Sequence, residues 1–252
     1  MAVTIKDIAK RAGVSYSTVS RALNDVSAGR SENKQKILEI AREMGYIPNQ
    51  AAIHLKLSRS YTIGLYFSTI SKMTSPFVLH DVLTGVYSVV GSKYNVVVKG
   101  IDMHEKGTLN PSFYDGIILL SQRSEDSDFI NEVLQKEIPM VAICRVILYD
   151  VPNVVTDETK AMEKAMDYLL EMGHREIAVI EGTPGLDSTR LRHVGWRNAM
   201  LKRGLNLDQV QVETANYRYS SGYEAAKRIL NQEKIPTAIL CFYDEMAFAA
   251  KA

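Results

Sequence analysis

The sequence predicts an α/β protein with a helical head. A three-helix helix-turn-helix unit is expected over residues 1–47, a hinge and linker over 48–60, and doubly wound parallel sheets over 61–252. Three observations predict this. Residues 13–24, Gly-Val-Ser-Tyr-Ser-Thr-Val-Ser-Arg-Ala-Leu-Asn, read as a sharp turn followed by a short helix. From Tyr61 onward, short strand-like runs alternate with helical stretches, the pattern of parallel sheets. Charge is also divided: residues 1–60 carry ten Lys and Arg against five Asp and Glu, although the whole chain stands at +1.

Thr4 stands where a first helix needs its N-cap, and Asp7 three residues on completes a capping-box pattern. Ile5, Ile8, Ala9 and Ala12 then recur at helical spacing on one apolar face. Gly13 permits the turn and Ser15 caps the second helix. In that helix Val19, Ala22 and Leu23 point inward, whereas Tyr16, Ser17, Ser20, Arg21 and Asn24 point outward. A merely solvated face would carry Lys and Glu. This one carries hydroxyls, an amide and one fork-shaped guanidinium, a set suited to base edges in a major groove. The plain alternative is a helix pair that packs and does nothing more. A third helix is expected after a Ser31 cap, with Ile37, Ile40, Ala41 and Met44 as its buried stripe and Gly45 at its end. Tyr46 and Ile47 should pack back on the head. Pro48-Asn49 breaks the chain, Gln50 to Leu57 is too short to hold a helix alone, and Ser58-Arg59-Ser60 reads as a linker.

In the remainder, strands are expected at Thr62–Phe67, Asn95–Val98, Gly116–Leu120, Met140–Ile143, Glu176–Ile180, Val210–Glu213 and Ala238–Cys241. Helices are expected at Phe77–Val90, with Val78, Val82, Val86 and Val89 on one side, and at Asp126–Glu137, Thr159–Met172, Thr189–Arg203 and Ser221–Asn231, with a last one opening at Asp244. Ligands on such sheets bind at the carboxyl ends of the strands. The loops there, Ser68–Ser75, Ser121–Ser124, Cys144–Tyr149, Gly182–Ser188 and the Tyr243-Asp244 turn, offer forks, hydroxyls and an aromatic ring, which suits a polyhydroxylated or planar small molecule.

Composition narrows the function classes. A basic head on an acidic remainder favours docking on a polyanion through the head. No apolar run is long enough to span a bilayer, so no membrane partner is expected. Lys6, Asp7, Lys10 and Arg11 interrupt any signal-peptide pattern, which points to the cytoplasm. Cys144 and Cys241 match no metal or redox spacing and read as free thiols. The sequence shows no Ser/His/Asp order, no paired-carboxylate signature and no complete phosphate loop, and its five histidines do not cluster. Neither an enzyme, a cofactor nor a metal is expected.

The residues Thr4-Ile5-Lys6-Asp7-Ile8-Ala9, Ala12-Gly13-Val14-Ser15 and Thr18-Val19-Ser20-Arg21-Ala22-Leu23-Asn24 resemble the DNA-binding head of the lactose/galactose repressor (LacI/GalR-type) family. Gly45 to Asn49, Ile63-Gly64, Asp115 to Ile118, Gly173 to Ile177, Arg192 with Gly195-Trp196, and Ser221-Gly222-Tyr223 follow in the family's order. The resemblance implies a transcription regulator, a repressor, that binds a palindromic double-stranded DNA operator as a homodimer. A small-molecule effector, a sugar or sugar derivative with a nucleobase as the other option, would set its DNA affinity. It also implies a periplasmic-binding-protein-like body with lobes over about 61–155 and 156–252. Family members extend past the position of Ala252, so the second lobe is expected to be incomplete.

Carried over by position, the resemblance puts Tyr16, Ser17 and Arg21 at base edges, and Thr4, Ser15, Thr18, Ser20 and Asn24 at phosphates. Leu55 would wedge into the minor groove, with the small Ala51 and Ala52 letting two hinge helices pack. Phe77, Arg145, Asp157, Ser188, Arg192 and Tyr217 stand at or near effector positions. Three departures stand out: Ile53 where many members have Arg, Val78 where a second aromatic is common, and a short Tyr94–Asp115 stretch that leaves little room for a helix. The competing readings are a ligand-binding or transport module and a DNA-binding remnant with an inert body.

Overall fold

The computed structural model describes residues 3–24, 32–46, 59–70, 74–147 and 149–252. The chain divides into two compact units, Met1–Ser58 and Arg59–Ala252. The Ser31 cap, Ile47 and the whole hinge, including Ala52, Ile53 and Leu55, lie outside the described residues.

The head has three helices: α1 (Ile5–Ala12), α2 (Tyr16–Asn24) and α3 (Glu32–Glu43). Its first turn is fixed by short-range chemistry. The Asp7 carboxylate accepts from the Thr4 amide at 2.9 Å and the Thr4 hydroxyl at 2.7 Å, and these bonds, the hydroxyl's first, lower its pKa. Gly13 ends α1 at φ +68°, a left-handed conformation that costs a residue with a Cβ more than it costs glycine. Ser15 then caps α2 by accepting from the Thr18 amide at 3.2 Å. Ile8, Val19 and Ile37, one from each helix, are the fully buried centre, closed by Ala9 and Ala41. Ser20 departs from the expected outward face: it is buried, 6% exposed. It follows Val19 by about 100° of rotation, which keeps it inside the arc that the other helices cover.

The second unit carries two parallel sheets. The first has five strands in the order β2-β1-β3-β4-β5. These are β1 (Thr62–Phe67), β2 (Asn95–Gly100), β3 (Gly116–Leu120), β4 (Met140–Ile143) and the two-residue β5 (Asn153–Val154). Helices α4 (Pro76–Val90) and α5 (Ser127–Gln135) cover its two faces. The pleat assigns the residues. Leu65, Phe67 and Leu120 face the α4 residues Val78, Val82 and Val86, while Tyr66, Ile117 and Leu119 face Phe129, Ile130 and Val133 of α5. Val89, expected in the α4 stripe, is 85% exposed. It falls in the last turn, next to the Gly91 cap, where the helix has run past the sheet. The short stretch between β2 and β3 holds two 3-10 turns, Ile101–Met103 and Pro111–Phe113, in place of a helix.

The second sheet has the order β7-β6-β8, with β6 (Ile177–Glu181), β7 (Gln211–Thr214) and β8 (Ala238–Cys241). Its helices are α6 (Glu158–Glu171), α7 (Asp187–Lys202), α8 (Tyr219–Leu230) and α9 (Asp244–Lys251). Met166, Leu170, Trp196, Ile229 and Met246 bring all four helices onto β6. Trp196, the single tryptophan of the chain, is 1% exposed and donates from Nε1 to Glu181 Oε1 at 2.9 Å. Both sheets have a switch point beside their first strand, where the carboxyl ends diverge and leave a crevice.

Candidate DNA-reading and effector sites

In the head, Tyr16, Ser17, Thr18 and Arg21 are exposed on α2, Tyr16 by 55%. Arg21 forms no ion pair among the described residues. Ser15 and Thr4 are exposed too, but both hydroxyls already serve caps. The Ser15 hydroxyl lies 2.8 Å from those of both Ser17 and Thr18. Buried Ser20 is removed from the set that reaches solvent. The Asn24 side chain and the hinge residues Ala52 and Leu55 lie outside the described residues.

In the body, a cavity of about 310 Å³ sits at the carboxyl ends of β1, β3 and β4 on one side and of the second sheet on the other. Its wall includes the polar residues Ser68, Thr69, Ser75, Gln122, Thr156, Glu158, Ser188, Arg192, Tyr217 and Tyr243, although most of the surface it presents is apolar. Val78, Leu120, Cys144 and Leu186 supply the apolar part. Several of these groups are held from behind. Buried Asp126 accepts from Ser68 Oγ at 2.5 Å and Ser121 Oγ at 2.8 Å, which pins the loops after β1 and β3 together. Tyr217, at φ +64°, shares a 2.6 Å hydrogen bond with Thr189 Oγ1. Its ring lies where a Cβ on Gly182 would come within 2.0 Å, so only glycine leaves room for it. Tyr243 stands edge-on to that ring at 5.8 Å.

Arg192 is the electrostatic centre. Its Nε donates to Glu158 Oε2 at 2.6 Å and its Nη1 to the Phe242 carbonyl. Burial pulls its pKa down, but the Glu158 carboxylate outweighs that and raises it. The other oxygen of Glu158 accepts from the Thr156 hydroxyl at 2.8 Å. Burial pushes the thiol of Cys144 up, with the Glu158 charge adding to it, and burial pushes Cys241 up to about 11, so both stay protonated.

Of the six effector residues expected from the sequence, Ser188, Arg192 and Tyr217 line this cavity. Arg145 and Asp157 line an adjoining recess of about 490 Å³ that shares Gln122, Cys144, Thr156, Glu158 and Ser188 with it. Their groups are occupied: Arg145 bonds the hydroxyls of Ser121 and Ser127 and the Arg123 carbonyl, and Asp157 caps α6 through the Lys160 amide at 2.9 Å. Phe77 lines neither space. It is 63% exposed at the start of α4, and its neighbour Val78 takes the wall instead. Glu158, Gln122 and Tyr243 were not expected. Two of them lie in loops that the sequence marks, and Glu158 follows Asp157 at the start of a helix.

Residues 4–49 match the family described as bacterial regulatory proteins, lacI family, and residues 105–252 match periplasmic binding proteins and sugar binding domain of LacI family. The chain belongs to the LacI family. It is a transcription regulator with a DNA-binding head. A relative, the probable HTH-type transcriptional repressor ExuR of Bacillus subtilis (strain 168), is 38% identical over 250 residues, 98% of this chain and 75% of the relative. The fold is that of a LacI-family lac repressor dimer solved with operator and the anti-inducer ONPF, with a TM-score of 0.82 and 24% identity over 99% of this chain and 76% of that one. A complex of the transcriptional regulator CelR with cellobiose has a TM-score of 0.63 at 26% identity, over 99% of this chain and 76% of that one. Among the described residues, no helix is long and apolar enough to cross a membrane.

Proposed function

We propose that this LacI-family protein is a repressor that binds a palindromic operator as a homodimer in the cytoplasm and catalyses no reaction. A sugar or sugar derivative in the body cavity tunes its affinity for DNA. The exposed polar face of α2 carries the reading: Tyr16, Ser17 and Arg21 meet base edges, while Thr18, with Ser15 and Thr4 once their caps rearrange, holds phosphates. Asn24, Ala52 and Leu55 keep the roles that the family resemblance gives them.

The hydroxyl-rich wall supports a polyhydroxylated effector, and the cavity volume lies at the small end of ligand pockets. The cellobiose in the CelR complex is consistent with that class. For dimerisation, α4 offers an apolar outer side: Tyr87 is 49% exposed, Val89 is 85% exposed, and no residue of the helix is fully buried. Ligand acts through its different affinity for two lobe arrangements.

Selection of binding sites from a randomised duplex pool tests the reading. A palindrome with a central pyrimidine–purine step is the expected outcome. Enrichment of half-sites, or of nothing above non-specific binding, sinks the dimeric repressor. Calorimetric titration with free hexoses, their disaccharides and derivatives tests the effector class, and heat absent from the whole panel sinks it.

A further inference from the structure

Helix α7 has no side-chain cap of its own, since its N-cap position is Leu186. Its first amides are nonetheless satisfied, and from the other sheet's side of the cavity. The Asp187 amide donates to the Gln122 backbone oxygen at 2.8 Å, and the Ser188 amide to Gln122 Oε1 at 3.0 Å. Gln122 is fixed in turn. Its amide donates to Ser68 Oγ at 2.9 Å, and that hydroxyl donates to Asp126, 2% exposed. A line of hydrogen bonds therefore runs from a buried carboxylate of the first lobe to the amino end of a helix of the second. Ser188 and Arg192, both on the opening turns of that helix, line the cavity.

We propose that Gln122 is a positioning residue of the effector site: by capping α7 across the cleft it sets Ser188 and Arg192 over the cavity, so that closing the lobes and assembling the site are one event. The proposal rests on the effector-gated reading above. When the lobes part, the first amides of α7 go to water. When they close, Gln122 takes them back, and a ligand seated against Ser188 and Arg192 meets a helix already in place. The Tyr243 hydroxyl, which donates to Ser75 Oγ at 3.2 Å, fastens a second point across the same cavity.

Amide exchange followed by NMR on the full chain tests this, in the wild type, Gln122→Met and Gln122→Glu. Met keeps the length and drops the acceptor. Glu keeps an acceptor where a helix amino end favours negative charge. The expected result in Gln122→Met is about three- to tenfold faster exchange at Ser188, which loses its acceptor, and a rise of the same size at Asp187, whose backbone acceptor stays but parts from it as the closed arrangement loses that one hydrogen bond. Amides around Trp196 should stay unchanged, and Gln122→Glu should restore the first two. A rise at Ser188 alone, along all of α7 or at neither amide overturns the proposal. The hexose titrations score the effector reading separately, and the exchange measurement needs no ligand, so the two failures are distinguishable.

Discussion

In the head, Tyr16, Ser17, Thr18 and Arg21 reach solvent from one face of one helix, and their positions follow from the rotation of that helix alone. In the body, Ser188, Arg192, Tyr217, Glu158 and Tyr243 reach the cavity from segments as much as 85 residues apart, and Arg192, Glu158, Tyr217 and Tyr243 are already bonded to another part of the chain. The head thus binds mainly by adding contacts. The body binds by exchanging them: whatever enters must replace hydrogen bonds already made, and selectivity lies in how well it does so.

The largest test separates the two units. Ile8→Ala empties the centre of a core with five buried apolar residues among those described and should cost about 2–5 kcal/mol. Scanning calorimetry should show the head transition lost and the body transition kept. A shift of both together would break the comparison. Next comes a charge buried in the body, Glu132, which sequence reasoning missed. Burial pushes its pKa up, but the Gly107 amide, His104, Lys136 and the Leu109 amide hold it at about 2, below its ordinary 4.5. Its contribution is therefore full above about pH 4.5 and fades as pH falls towards 2. Glu132→Gln should lose about 1.5–3 kcal/mol at neutral pH and flatten the acid side of a urea-midpoint profile.

Arg21→Ala should cost about 1–3 kcal/mol at one base position. Equal loss on every sequence would reassign Arg21 to the phosphates. The smallest effect is expected for Tyr243→Phe, which removes only the hydroxyl bonded to Ser75, about 0.5–1.5 kcal/mol. Denaturant midpoints check it, and no change would mean that water replaces the bond fully.

The same contrast explains what the sequence revealed. The caps at Thr4 and Ser15, the Ile8–Val19–Ile37 centre and the apolar runs of β1 and β3 are local rules, and they were legible. Ser20 and Val89 were misplaced because periodicity gives a direction around a helix but not where the neighbouring element stops. Ser188, Arg192 and Tyr217, expected from the family resemblance, line the cavity, and all three follow the carboxyl ends of strands. Arg145 and Asp157 follow strands of the first sheet, yet their charges are spent on a loop carbonyl and a helix cap, which no spacing announces. Gln122 and Tyr243 matter through partners 66 and 168 residues away in the chain.

The single tryptophan gives this arrangement a voice. Trp196 sits on α7, one turn past Arg192, with its indole nitrogen tied to Glu181 and its ring 5.7 Å from that of His193. Light absorbed selectively by indole is therefore emitted from one known place, on the helix that carries the cavity's arginine. An optical trace from the unlabelled protein can time the arrival of a small molecule, and its amplitude belongs to a single fluorophore whose surroundings are known atom by atom.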